Sequence, residues 1–598
     1  MPSATRRSTR RRTAIAGIGA AAIGALFVFR LVDIQVVRAD ALSRAASETR
    51  GVTEVSEGVR GDILDSAGTV LASTISTFTI TVSPRAVADF TRERDTANGE
   101  PALETVTPHQ AAGELAGILA RPTGDILSIL TDDPSLDFAY VARDIDATAF
   151  EAVKELEIPW LYYESEPERV YPIGSVTGNI VGFYDNDGAS IAGVEQLENT
   201  CLSGSDGTVT YQRGADGVAI PGTRSHAVPP QKGGSVTLTI DSDLQWFAQT
   251  ALAERMSEVG GAWGTAIVQR VDTGDLLAVA DYPSVDPARI DDTPEQFRGS
   301  IAFQAPYEPG STFKALTAAS LVDAGVATAA TEVESPFIYT DPNGASFRDS
   351  EFHDEPLRLT LAGVVQESSN TGLAILSKGL TPDQRFDDML RFGLGEPSEV
   401  GFPGESGGIL RTPAEWDNQT ELVTTFGQGL SATAIQMASV YQTLGNQGVR
   451  MPVRLVAGCS TADGAPHPKG AADGTAGGVR VISADTAQSV VEMLETVVEG
   501  GYAASELQLA GYRVAAKTST AEMSDGNGAY SSSFITSITG LFPAEAPQFV
   551  VSVTIAQPVS VDSALAPAPV FHDLVAQLAK DHRVLPSTEP APELPTRY

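Results

Sequence analysis

Glu308-Pro309-Gly310-Ser311-Thr312-Phe313-Lys314-Ala315-Leu316-Thr317 is the stretch on which the reading of this chain turns. A serine followed three residues later by a lysine can form a nucleophile without histidine. At helical spacing the two side chains share a face, one turn apart. Pro309-Gly310 breaks the chain just before, so Ser311 is predicted at a helix start, where free backbone N–H groups point outward. A buried Lys314 would lose its proton readily and serve as base toward the Ser311 hydroxyl. Taken alone, Ser-x-x-Lys also occurs by chance at surface helix starts.

Two further elements follow in order. Ser368-Ser369-Asn370 lies within Val365-Gln366-Glu367-Ser368-Ser369-Asn370-Thr371-Gly372, and Lys517-Thr518-Ser519-Thr520 within Val514-Ala515-Ala516-Lys517-Thr518-Ser519-Thr520-Ala521-Glu522. With Ser311 and Lys314 they resemble the S-x-x-K, S-x-N, K-T-G set of penicillin-binding proteins and serine β-lactamases. Phe426-Gly427-Gln428-Gly429-Leu430-Ser431-Ala432-Thr433, then Gln436 and Met437, resembles the segment between the second and third motifs. Val481-Ile482-Ser483, a helical run through Val490, Met493, Leu494 and Val497, and Gly511-Tyr512 match the approach to the third.

The resemblance implies an α/β (α+β) transpeptidase fold, an antiparallel sheet flanked by helices. It also implies roles. Ser311 would attack the penultimate D-alanine carbonyl of a D-Ala-D-Ala stem peptide, and Lys314 would take its proton. Ser368 would relay a proton to the leaving amine and Asn370 would hold the substrate amide. Lys517 would begin a strand at the sheet edge, with Lys517 and Ser519 on one face and Thr518 and Thr520 on the other. The threonine hydroxyls would bind the terminal carboxylate, and the Thr520 N–H would join the Ser311 N–H as oxyanion hole. Ser519 departs from the pattern, which has glycine there. Glycine lets strand and ligand approach closely, so a hydroxymethyl group is expected to crowd the site or add a hydrogen bond near Lys517. No metal and no organic cofactor is required by this chemistry.

The chain has 598 residues, 42% of them hydrophobic, enough for sizeable cores in more than one domain. Its net charge is −36. Six arginines fall within residues 1–30, namely Arg6, Arg7, Arg10, Arg11, Arg12 and Arg30, with no acid among them. So acidic a remainder argues against nucleic-acid binding, which needs clustered Lys and Arg.

From Ala14 to Phe29 no residue is charged, and extension to Val32 gives a span just long enough to cross a bilayer. The basic residues before it predict a cytoplasmic N-terminus and an extracytoplasmic remainder. A cleaved signal peptide is the alternative, since Ala39-Asp40-Ala41 offers a small-x-small site. The long apolar run and the intervening Arg30, Asp33 and Arg38 favour an uncleaved anchor.

The predicted organisation is a basic tail (1–13), a transmembrane anchor (14–32), a non-catalytic pedestal of dimerisation type (45–235), a transpeptidase domain (236–583) and a Pro- and Glu-rich disordered tail (584–598). The pedestal carries Arg60-Gly61-Asp62-Ile63-Leu64-Asp65-Ser66-Ala67-Gly68-Thr69-Val70-Leu71-Ala72, a predicted hairpin, then Arg169-Val170-Tyr171-Pro172, Gly182-Phe183 and Gly193-Val194-Glu195. These resemble boxes of class B penicillin-binding proteins. Cys201 and Cys459, far apart, are expected as separate buried thiols. The six histidines show no ligand spacing, so no metal site is expected. Asp185-Asn186-Asp187-Gly188 is read as a turn rather than a calcium loop.

A single anchor, a short pedestal and the lack of a glycosyltransferase region before residue 230 resemble the division-specific FtsI group. An elongation-type class B enzyme stays open, as does a weakly active or non-catalytic division scaffold because of Ser519. A β-lactamase or carboxypeptidase is disfavoured, since no glutamate motif for a hydrolytic water is seen between Ser368 and Lys517, and so is a β-lactam sensor. Partners implied by the resemblance are peptidoglycan stem peptides, β-lactams as covalent inhibitors, a SEDS-type glycosyltransferase and other division proteins.

Overall fold

Phe549-Val550-Val551-Ser552-Val553-Thr554-Ile555-Ala556 is buried at every position, as expected of a central strand covered on both faces. The computed structural model describes residues 5–41, 51–56, 58–95, 101–184, 189–213, 225–461, 465, 477–524 and 530–598. Asp185–Gly188 and His467 lie outside the described residues. Five antiparallel strands form the main sheet: β1 (Trp263–Arg270), β2 (Leu276–Tyr282), β3 (Ala515–Ser524), β4 (Tyr530–Phe542) and β5 (Phe549–Ala556). Their order is β2-β1-β5-β4-β3, so β3 forms one edge.

Alternation along these strands feeds two cores. Ala266, Val268, Ile538, Val551 and Val553 face a layer built on α1 (Ser242–Val259) and α5 (Ala568–Asp581). Ile267, Val279, Leu541 and Val550 belong to the opposite core, with α2 (Lys314–Asp323), α3 (Ala434–Gly445) and α4 (Ala484–Gly500). Local signals start the helices. Asp241 caps α1 by accepting the N–H groups of Asp243 and Leu244, Thr433 and Gln436 close a capping box on α3, and Ser483 caps α4.

Two compact units divide the chain. One holds the residues up to Val59 together with Ser203–Gly233; the other holds Arg60–Leu202 and Gly234–Tyr598. In the first, the helix Thr5–Val32 continues through Val37, and the window Arg11–Val37 is long and apolar enough to cross a membrane. Its apolar side chains, including Ile18, Leu26 and Phe29, are exposed. The same unit contains a three-stranded sheet of Gly51–Ser56, Gly207–Gln212 and Ser225–Val228.

In the second unit, the predicted hairpin forms between Ile63–Leu64 and Val70–Val82. The sheet it starts runs on one side through Ser235–Leu238 to Val456–Ser460, and on the other through Ala139–Ile145, with Leu161–Val170 also on Val70–Val82. Three of the quoted pedestal motifs meet in one buried ion cluster. Fully buried Glu195 accepts from Arg60 Nε at 2.6 Å and from Arg169 Nε at 2.8 Å. Arg60 also donates to the Glu195 carbonyl and Arg169 to that of Gly61. A charge so buried persists only when it is paired, and the two arginines that pair with Glu195 come from boxes far from it in the sequence.

Two expectations are corrected. Cys201 and Cys459 are not separate thiols but a disulfide, with Cα atoms 6.4 Å apart. The sheet places Val456–Ser460 beside Ser235–Leu238, and Gly234, whose N–H donates to the Cys201 carbonyl, brings the two together. The expected disordered tail is ordered: Val584 is buried, Ser587 N–H donates to Gly511 O, and Thr360 donates through N–H and Oγ to Thr596 O and Pro595 O. Composition suggested disorder, but a Pro-rich strand has few backbone donors to satisfy and can lie along a surface that offers its own.

Candidate active site

Ser311 lies in a turn of 3-10 helix, Gly310–Phe313, that runs directly into α2. Gly310 has φ +55°, and its N–H donates to the carbonyl of Gly427. A Cβ on Gly427 would collide with Gly310 O, so the Phe426–Gly429 segment is a close-packed seat for the Ser311 turn. Buried Tyr441 on α3 donates its hydroxyl to the Thr312 carbonyl at 2.9 Å. Together these bonds fix the nucleophile candidate from below.

The three sequence motifs converge here. Ser368 Oγ is hydrogen-bonded to Ser311 Oγ at 2.9 Å. Lys314 Nζ donates to Ser368 Oγ at 3.2 Å and to the Ser368 carbonyl. Lys517 Nζ donates to Ser368 Oγ at 3.1 Å and to the Thr518 carbonyl at 3.0 Å. Ser368 is therefore the hub through which both lysines reach Ser311. Both lysines are fully buried. Burial brings the Lys314 ammonium down to about 7, against an opposing pull from Asp349. Burial, and then the neighbouring Lys314 charge, lowers Lys517 strongly. Near neutral pH, Lys314 is thus able to accept a proton.

The Ser368-Ser369-Asn370 loop joins the helices Leu361–Gln366 and Asn370–Ser377. Ser368 has φ +61°, in the left-handed region that a non-glycine residue enters at a cost of order 1–3 kcal/mol. Buried Asp349 offsets it. Its Oδ1 accepts the N–H groups of Asn370 at 2.6 Å and Thr371 at 2.9 Å, and Oδ2 accepts the hydroxyls of Ser369 and Ser335. Ser369 in turn caps its helix by accepting the Gly372 N–H. Asn370 donates its side-chain amide to Arg348 O. Asp349 carries no motif signature, and sequence reasoning missed it.

Edge strand β3 carries Lys517, Thr518, Ser519 and Thr520. As expected from alternation, Lys517 and Ser519 point to the Ser311 side, while Thr518 and Thr520 line the cavity beside Tyr502. Ser519 is buried; its Oγ accepts the Ser311 backbone N–H at 2.9 Å and donates to Pro309 O at 3.0 Å. The hydrogen bond expected from Ser519 near Lys517 is made instead to the turn of Ser311. The cavity has a volume of about 550 Å³ and opens over Ser311, Asn370, Gln428, Tyr502, Thr518 and Thr520, a size suited to a peptide-sized ligand. Among the described residues, β3 pairs only with β4, so its outer edge is available to an extended peptide.

Comparison with known proteins agrees with this geometry. Residues 264–576 match the penicillin binding protein transpeptidase domain, and residues 55–238 the penicillin-binding protein dimerisation domain. The chain is 31% identical to penicillin-binding protein PbpB of Mycolicibacterium smegmatis over 99% of its own length and 96% of that protein. It is 29% identical to the peptidoglycan D,D-transpeptidase FtsI of Escherichia coli over 89% of its length and 85% of that protein. A crystal structure of penicillin binding protein 3 from Mycobacterium tuberculosis complexed with aztreonam superposes with TM-score 0.67 at 26% identity, covering 91% of this chain and all of that one. The chain belongs to the penicillin-binding protein transpeptidase family, as a class B serine D,D-transpeptidase of the PbpB/FtsI type.

Proposed function

We propose that this protein cross-links peptidoglycan at the division septum through an acyl-enzyme on Ser311. The observation that carries the reading is the hydrogen-bonded array of Ser311, Ser368, Lys314 and Lys517 at the floor of the cavity. Ser311 Oγ attacks the carbonyl carbon of the penultimate D-alanine, and its proton passes over Ser368 Oγ to Lys314. Collapse of the tetrahedral intermediate breaks the amide bond. The leaving D-alanine amine takes a proton back through Ser368, which Lys517 Nζ holds in place by a hydrogen bond to its Oγ. The amine of a second stem peptide then attacks the acyl-enzyme, forming the cross-link and restoring the Ser311 hydroxyl.

Asn370 lies at the cavity wall where a substrate amide would run, and Thr518 and Thr520 where a terminal carboxylate would sit. The Ser311 and Thr520 N–H groups would hold the oxyanion. β-Lactams, which mimic D-Ala-D-Ala, would acylate the same serine. The arginines before the apolar helix support a cytoplasmic N-terminus with the catalytic unit outside. A membrane glycosyltransferase of SEDS type and other division proteins are the partners that this placement fits. The intact array favours an active enzyme over a scaffold.

The test is product analysis. Full-length protein in detergent is incubated with a D-Ala-D-Ala stem peptide and an amine acceptor. Released D-alanine with a cross-linked product of the summed mass less D-alanine supports the reading. Released D-alanine with hydrolysed donor alone would make the protein a carboxypeptidase.

A further inference from the structure

Ser519 stands where it controls access to one oxyanion donor. The Ser311 N–H lies at the first turn of its helix and needs a partner from outside the helix. It has one: Ser519 Oγ, at 2.9 Å. The same hydroxyl is anchored on its other side by donation to Pro309 O at 3.0 Å, and its side chain is buried against Gly310. A Cβ on Gly310 would come within 2.6 Å of Ser519 Oγ, so the hydroxyl is held in a close-fitting slot between β3 and the turn of Ser311.

We propose that the Ser519 hydroxyl caps the oxyanion site of the resting enzyme, acting as a stand-in for the substrate carbonyl oxygen that must be displaced before acylation. The proposal rests on the reading of Ser311 as nucleophile and of its N–H as an oxyanion donor. An incoming carbonyl oxygen competes with a neutral hydroxyl for one N–H. As negative charge develops on that oxygen, it becomes the better acceptor, because hydrogen bonds to ions are about twice as strong as neutral ones. Ser519 then rotates about its Cα–Cβ bond and gives up its bonds to Ser311 and Pro309. Losing one net hydrogen bond of this kind corresponds to roughly a five- to tenfold factor in rate. The cap therefore slows acylation without abolishing it. It acts on every acylating agent that uses the hole, β-lactams included.

The opposite sign is built into the same geometry. If the hydroxyl turns its proton toward the oxyanion, Ser519 becomes a third donor, and its removal slows the reaction. Acylation rate constants for a penicillin and for a D-alanyl thioester, measured on wild type, Ser519→Gly and Ser519→Ala with Ser311→Ala as control, separate the two. The expected result is acylation about five- to tenfold faster in both Ser519 variants. The dissociation constant of the pre-acylation complex is expected to stay within about twofold. Affinity for an acylaminomethyl boronic acid, whose tetrahedral adduct fills the hole, is expected to rise by a factor similar to that in rate. Equal or slower acylation in Ser519→Ala overturns the cap. Acceleration in Ser519→Gly alone also overturns it, because crowding by Cβ rather than the hydroxyl would then be responsible. No adduct on wild type or either variant overturns the Ser311 reading itself, an outcome distinct from a failed cap.

Discussion

Asp349 holds Asn370 by its backbone: the carboxylate oxygen Oδ1 accepts the Asn370 N–H at 2.6 Å. That bond, with those to Thr371, Ser369 and Ser335, presents Ser368 to Ser311 in a left-handed conformation that the residue would not adopt unaided. Asp349→Ala would leave several buried donors without an acceptor, at roughly 1–3 kcal/mol each. We expect a clear drop in melting temperature and a fall of at least about tenfold in the acylation rate constant. Asp349→Asn, which keeps one acceptor oxygen, should fall between. Wild-type acylation in Asp349→Ala would show that Ser368 is positioned by other means.

Lys314 sets a pH limb. Its ammonium is brought down to about 7 by burial, so the neutral base is half-populated near that pH. Below it, the protonated form dominates and acylation should fall about tenfold per pH unit; above it, the rate should level off. Stopped-flow acylation between pH 5 and 9 reads this directly. Lys314→Ala should lose roughly 10²–10⁴-fold. A profile flat across this range would exclude Lys314 as the base.

The last residues of the chain brace the active-site loop. Arg597 pairs with Glu367 at 2.9 Å, the residue just before Ser368, and Thr596 O receives the Thr360 N–H at the start of the helix Leu361–Gln366. Gly363 is what admits them, since a Cβ there would overlap Thr596 O. Deleting 588–598 should lower stability by roughly 1–3 kcal/mol and slow acylation. Gly363→Ala should destabilise the full chain but do little in the truncated one. Equal effects in both backgrounds, by thermal melting, would mean that the tail and Gly363 are independent.

The disulfide closes a loop with a sequence separation of 258 residues. A paired Cys201→Ser, Cys459→Ser variant should lose about 2–4 kcal/mol, with the acylation rate at 25 °C little changed. Differential scanning calorimetry with and without reductant checks it. An unchanged melting temperature on reduction would indicate that the sheet contacts of Val456–Ser460 suffice alone.

How much of this was legible beforehand depended on distance along the chain. Ser311 and Lys314 announce themselves because helical spacing is a local property, and Lys517 to Thr520 because strand alternation is. Asp349 was not legible, since its partners lie some twenty residues on and an isolated aspartate carries no pattern. The Cys201–Cys459 bond was missed because the sheet that joins their neighbourhoods pairs strands more than two hundred residues apart. The tail was misjudged because Pro and Glu content measures what a segment cannot bury, not which donors a neighbouring helix start offers it. Ser519 was noticed as a departure, but its hydrogen bond to the Ser311 N–H needed the turn and the strand in one frame.

The central claim is that Ser311 is the acylated nucleophile. Intact mass of the protein after exposure to a penicillin, and separately to a D-alanyl thioester, tests it most directly. One adduct per chain with each reagent, mapped to the peptide containing Ser311 and absent from Ser311→Ala, is the expected result. Adducts that persist in folded Ser311→Ala, or no adduct with either reagent on folded wild type, would contradict it.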